Sequence, residues 1–139
     1  MIELRLFKIL IFGISASWIA ASPAAAPAVS AAELIQHYNL ESGQPADATR
    51  GEAFWQQSRA GSDQQPRQCA RCHGQNLSES GKHYKSGKTI QPMAPSINPK
   101  RYTSLKKVEK WFKRNCKWTI GRECTPAEKS DLILYLSNL

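Results

Sequence analysis

Apolar and polar positions recur with helical spacing through most of this 139-residue chain, but the first stretch is of a different kind. Arg5 and Lys8 precede a largely apolar run from Ile9 to Ala21, which gives way to small residues up to Ala32. This is the layout of a secretory signal, with small-residue cleavage sites at Val29-Ser30-Ala31 and Ser30-Ala31-Ala32. An uncleaved membrane anchor is the alternative, yet Ser15, Ser17, Ser22 and Pro23 leave the run short of the roughly 20 apolar residues of a span. Residues 1–32 are therefore expected to be removed near Ala31 or Ala32, leaving a domain over 33–139 and an exported, periplasmic protein.

Beyond the signal, Leu34, Ile35 and Tyr38 give the segment Glu33 to Gln44 a short amphipathic pattern, closed by Gly43 and Pro45. Asp47 or Thr49 caps a second pattern carrying Gly51, Phe54, Trp55 and Arg59, expected to run as the N-terminal helix of the domain until Gly61. Asn76 to Pro99 holds Gly81, Gly87, Pro92, Pro95 and Pro99 and reads as a loop. Thr103 or Ser104 caps the next helix, where Leu105, Val108, Trp111, Phe112 and Asn115 share one face. Thr125-Pro126-Ala127-Glu128 is a capping box with proline at the first helical position, and Leu132, Ile133, Tyr135 and Leu136 supply the apolar side of a terminal helix. No run alternates with period two, and no internal repeat is visible. The expected class is all-α.

Charge sharpens this picture at one place. The formal +8 falls to about +7 once Glu3, Arg5 and Lys8 leave with the signal. Between Lys100 and Lys117 eight cationic residues (Lys100, Arg101, Lys106, Lys107, Lys110, Lys113, Arg114 and Lys117) stand against one acid, Glu109. Such a face attracts nucleic acid, an anionic membrane or an acidic protein; in an exported protein the acidic partner is the expectation and nucleic acid is not. A solvated helix face with no partner is the plainer reading.

The chemistry enters with Cys69-Ala70-Arg71-Cys72-His73, a C-x-x-C-H pentapeptide that signals covalent attachment of one haem c. Two thiols at this spacing form thioethers to the porphyrin, and the adjacent imidazole becomes the proximal iron ligand. A zinc half-site or a dithiol redox motif is the competing use of such a pair. The other two cysteines, Cys116 and Cys124, lie in a lysine-rich stretch and are expected to pair in an oxidising compartment. Gly74 allows the turn that keeps His73 under the iron.

Helix, haem motif, wrapping loop, helix and terminal helix is the order of a class I cytochrome c, which the chain resembles. Gly51-x-x-Phe54 looks like the N-terminal helix motif of that class, and Leu132-x-x-Tyr135-Leu136 like the terminal helix that crosses it. The ligand on the other face of the iron then decides between a closed electron shuttle and a gas-binding haem. Three residues compete. Met93, in a Gln91-Pro92-Met93-Ala94-Pro95 loop, offers a soft thioether or merely fills the haem edge. His83 offers a second imidazole, although it and His37 lie in polar surroundings that usually expose a histidine. Asn115 sits on an apolar helix face beside Cys116, where an amide usually has a plain hydrogen-bonding role.

The stretch Val108 to Cys116, ending Arg114-Asn115-Cys116, continues through Gly121-Arg122-Glu123-Cys124-Thr125. With Pro92-Met93-Ala94-Pro95-Ser96-Ile97-Asn98-Pro99, it resembles the sphaeroides haem protein (SHP) family of oxygen-binding monohaem cytochromes c. The likeness extends from about Gly51 to Leu136, and leaves Glu33 to Gln44 unexplained. It implies an axial pair of His73 and Asn115, a disulfide between Cys116 and Cys124, and a ferrous iron that sheds its asparagine to bind O2 or NO, with Trp111 or Phe112 limiting water. It also implies a dihaem cytochrome c as electron donor, with a membrane b-type cytochrome nearby. Whether the gas is turned over, as by an enzyme, stays open beside a plain shuttle ligated by Met93 or His83.

Overall fold

The computed structural model describes residues 28–139, so the expected signal up to residue 27 lies outside the described residues. The elements are α1 (Ala31–Ser42), α2 (Ala48–Gln56), β1 (Arg59–Ala60), β2 (Pro66–Arg67), α3 (Ala70–His73), β3 (Gly81–Lys82), β4 (Thr89–Ile90), α4 (Leu105–Ile120) and α5 (Pro126–Ser137). The strands are two antiparallel ladders of two residues per strand, β1 with β2 and β3 with β4, inserted in an otherwise helical chain. The all-α class stands.

Local chemistry explains where each helix begins. Ser30 caps α1 through a reciprocal box: its hydroxyl accepts from the Glu33 N–H at 3.2 Å, and the Glu33 carboxylate accepts from the Ser30 N–H at 2.7 Å. A cut at Ala31 or Ala32 would fall in the first turn of this helix and remove that cap, together with the bond from Val29 N to Thr103 O at 3.2 Å. Asp47, rather than Thr49, caps α2 by accepting from the Thr49 and Arg50 N–H groups. Ser104 caps α4, and the Thr125/Glu128 box opens α5 as expected.

Two expectations are corrected. The second helix stops at Gln56 instead of reaching Arg59, because Arg59 folds back on it. Its guanidinium lies 4.2 Å from the Phe54 ring centroid and donates to the Phe54 carbonyl at 3.2 Å, satisfying a helix-end acceptor that further helix would have used. The N-terminal helix of the domain is α1, not the Gly51 segment. Leu34 and Tyr38 of α1 are among the most buried side chains of the molecule, packed with Val108 and Ile133.

α1 and α2 both pack on α5, which buries Leu132, Ile133 and Leu136. At the α2–α5 crossing a Cβ on Gly51 would sit 2.2 Å from the Asp131 carbonyl oxygen, so only glycine allows this approach. Asp131, buried beside it, accepts from the Asp47 N–H at 2.6 Å and from two nitrogens of Arg50 at 2.8 Å each. Tyr102 and Phe112 pack against both this layer and the α1 cluster, which joins the two into one core.

Candidate haem site

The haem motif forms the single turn α3, in which the His73 N–H bonds to Cys69 O at 3.2 Å and Gly74, at φ +80°, turns the chain away. Gly81 of the following loop crosses close behind it, with room for no Cβ: one would lie 2.3 Å from Cys72 O. Cys69, Cys72 and His73 thereby face a single cavity of about 790 Å³, bounded on one side by Phe54, Trp55 and Leu132 and on another by α4. Among the described residues five cationic side chains border this cavity (Lys88, Lys100, Arg101, Lys107 and Arg114) and no aspartate or glutamate does. An apolar interior with a cationic rim suits a large flat apolar group that carries carboxylates.

The motif's own side chains fit a haem and not the rival uses. Burial pushes the Cys69 thiol up to about 11, the reverse of the lowered pKa that a dithiol redox motif needs. Among the described residues no group of three or more His, Cys, Asp and Glu gathers, so the pair lacks the further ligands of a zinc site. Both thiols are free. Burial, reinforced by the Arg101 charge, pushes His73 down to about 4, so its imidazole is neutral. The ring rests against Trp55 at a centroid distance of 5.2 Å, and its buried Nδ1 has no protein partner. A neutral imidazole held against Trp55 suits an iron ligand.

All three candidates for the opposite face line the same cavity. Met93 is buried in the core, its N–H held by the Leu77 carbonyl at 2.9 Å. His83 lies beside Tyr84 and Trp118, and its Nδ1 is 3.2 Å from the Ser86 N and 3.0 Å from the Ser86 hydroxyl. Asn115 is half-buried on α4, and among the described residues its carboxamide makes no hydrogen bond to protein. The next residue, Cys116, is joined to Cys124, so the end of α4 carrying Asn115 is tied to the start of α5. Trp111 and Phe112, a turn earlier, line the same wall; Trp111 is 37% exposed and Phe112 is half-buried.

The basic residues Lys106, Lys107, Lys110, Lys113, Arg114 and Lys117 are all exposed on α4. Lys117 is paired with Glu123 at 3.1 Å, and Arg114 and Arg101 lie 5.8 and 4.8 Å from the Trp111 ring centroid. Sequence reasoning missed a stack beside the motif. The buried Arg67 guanidinium sits 3.5 Å from the Trp118 ring centroid and donates to the Tyr84 hydroxyl at 3.0 Å, while Tyr84 N lies 3.5 Å from Cys72 Sγ. Three long-range partners build it, and no local spacing announces them.

A haem-attachment turn held between crossing helices, with a cavity that accepts one porphyrin, defines a monohaem c-type cytochrome of the class I fold. Residues 41–136 match the family model described as Domain of unknown function (DUF1924). The chain is also 43% identical over 121 residues to "Cytochrome c-type protein SHP" of Cereibacter sphaeroides, covering 87% of this chain and 93% of that protein. It belongs to this family. The structure of oxidized SHP, described as an oxygen binding cytochrome c, superimposes with a TM-score of 0.74 over 79% of this chain and 97% of that one, at 43% identity. The solution structure of cytochrome c'' from Methylophilus methylotrophus, described as bearing on haem-ligand detachment, gives 0.69 over 76% and 90%, at 32% identity. Like its relatives the protein carries a single covalently bound haem c.

Proposed function

We propose that this protein is an exported haem protein that binds O2 or NO when reduced, with Asn115 as the releasable ligand opposite His73. The carrying observation is that the unbonded carboxamide of Asn115 stands in the wall of the cavity that also holds Cys69, Cys72 and His73. The relatives support it, one described as oxygen binding and the other through haem-ligand detachment.

The haem supplies one iron that changes oxidation state and has one face open to exchange. Cys69 and Cys72 would hold it as thioethers, and His73, kept neutral by burial, is the constant ligand. Asn115 would offer a carboxamide oxygen, a hard donor that suits ferric iron and competes poorly for ferrous iron, which would make it the exchangeable ligand. Its N–H groups would be placed to donate to a ligand in the cavity, with Phe112 and Trp111 limiting water. The exposed lysines of α4 receive an acidic electron donor, a dihaem cytochrome c serviced by a membrane b-type cytochrome.

Met93 supports the second reading, a closed electron shuttle, since it is buried on the same cavity. Carbon monoxide and two variants separate them. Carbon monoxide should shift the Soret band of the reduced protein within the mixing time, Asn115→Ala should leave a high-spin ferric haem, and Met93→Leu should change neither spectrum. A low-spin ferric spectrum that survives Asn115→Ala and is lost in Met93→Leu assigns the shuttle.

A further inference from the structure

Beside the haem motif and the three axial candidates, one part of the cavity wall remains unexplained. Tyr102 adopts φ +58°, a left-handed conformation that a bulky aromatic residue rarely takes and that surrounding structure must enforce. What this conformation delivers is a phenol on the cavity wall whose hydroxyl is buried and bonded to nothing. Burial pushes its pKa up, so it stays a donor. The preceding residue is as unusual. Arg101 is half-buried on the same wall, and among the described residues it makes no ion pair. Its Nε donates to Pro92 O at 2.9 Å and its Nη2 to Gln91 O at 2.6 Å, both neutral acceptors, while the guanidinium covers the Trp111 ring.

A half-buried cation without a counter-charge and a buried donor without an acceptor, on consecutive residues, share one requirement. Both are met by an oxyanion, and Lys100 and Lys107 on the same cavity add to the field that favours one. We infer that Arg101 and Tyr102 form a carboxylate-binding site, occupied by a propionate of the protein's own haem. Covalent attachment at Cys69 and Cys72 delivers that carboxylate to the cavity at fixed stoichiometry, whereas a free anion would have to compete from solution. Arg101 then has a double role. It neutralises the haem carboxylate and, through its contact with Trp111, ties that carboxylate to the wall that bears Asn115. The inference rests on the haem and not on which residue is the sixth ligand, so it survives or fails independently of Asn115.

The test uses the holoprotein and its Arg101→Gln, Arg101→Lys and Tyr102→Phe variants, compared by spectroelectrochemistry at pH 8 and by redox-induced infrared difference spectra. Loss of the guanidinium charge stabilises ferric over ferrous haem, so Arg101→Gln should shift the redox equilibrium about tenfold toward the oxidised form, about 59 mV for one electron. Arg101→Lys should restore most of that shift. Tyr102→Phe, which changes no charge, should move the propionate carboxylate bands while leaving the axial-ligand spectrum unchanged. Wild-type potentials are also measured against added phosphate and acetate at constant ionic strength. Independence of these anions supports the propionate; a concentration dependence that vanishes in Arg101→Gln overturns it in favour of a free anion. Unchanged potential in Arg101→Gln together with unchanged carboxylate bands in Tyr102→Phe overturns the site altogether.

Discussion

Single residues set the closest approaches in this molecule. Gly51 is the clearest case, because the added Cβ would meet the Asp131 carbonyl at 2.2 Å and the Tyr135 Cβ at 2.9 Å. Backbone cannot yield as a flexible side chain does, so Gly51→Ala should force α2 off α5 and cost at least about 2 kcal/mol, the usual scale of overpacking. Urea denaturation of the holoprotein followed by far-UV circular dichroism measures it; a loss below about 0.5 kcal/mol, the range of ordinary surface substitutions, would show that the crossing is slack. At this scale much was legible. The haem motif, His73 and the pairing of Cys116 with Cys124 are written in cysteine and histidine spacing and in compartment chemistry. Gly51 was legible only through the resemblance of Gly51-x-x-Phe54 to a helix motif of class I cytochromes c, and its steric reason needs Asp131 from the far end of the chain. Tyr102 was not legible, since no residue type announces a left-handed tyrosine.

Elements are held together by a small number of polar ties, and the most telling joins α1, α4 and α5. The Tyr38 hydroxyl donates to Glu109 at 2.6 Å, and Lys129 donates to both oxygens of the same carboxylate at 3.0 and 2.9 Å. Burial pushes the Glu109 pKa up, but these hydrogen bonds outweigh it and hold the carboxyl below its ordinary value. A carboxylate with a lowered native pKa stabilises the fold above its unfolded pKa, and that contribution disappears as pH falls through the native value. The capping acid Asp47, also lowered by hydrogen bonds from the backbone it caps, acts in the same direction. Stability should therefore fall progressively from about pH 5 toward pH 3. Tyr38→Phe should lose about 1 kcal/mol at pH 7, the typical worth of one hydrogen bond, and progressively less as pH falls through the lowered native pKa of its acceptor. Urea midpoints across the acid range check it, and a loss independent of pH would rule out the Glu109 tie. The helix boundaries illustrate what pattern can and cannot supply. The capping box at Thr125 lies within four residues of sequence and ends up where spacing puts it, whereas the Ser30 box at the start of α1 was found only in the structure. Nor does the end of α2 fall where spacing puts it, because a side chain folding back from Arg59 ended the helix before Gly61.

At the scale of the whole molecule, charge is the property that reaches outward. Six exposed basic side chains on α4 overlie a cavity whose rim is itself cationic, so the field around the haem is positive on both the outer and the inner side. Attraction of this kind is screened over roughly 8 Å at physiological salt. The rate at which the proposed acidic dihaem donor reduces the protein should thus fall steeply between low and physiological ionic strength, and Lys113→Glu should lower it further at low salt only. Stopped-flow reduction measures both, and a rate indifferent to salt would return these lysines to the role of a solvated helix face. α1 belongs to this scale as well. The likeness read from motifs began near Gly51, but the match to SHP of Cereibacter sphaeroides covers 121 residues and so takes in α1, whose Leu34 and Tyr38 complete the core against α4 and α5.

By itself the sequence determined what depends on neighbours along the chain: the haem-bearing cysteines, the histidine beside them, the helix caps, the basic face of α4 and the all-α class. Tertiary structure alone decided what depends on residues far apart in sequence. It brought Asn115, Met93 and His83 to the one cavity that also holds Cys69, Cys72 and His73. The reason is physical: covalent motifs and caps act within a turn or two of backbone, whereas which side chains share a cavity is settled by packing between segments far apart in sequence.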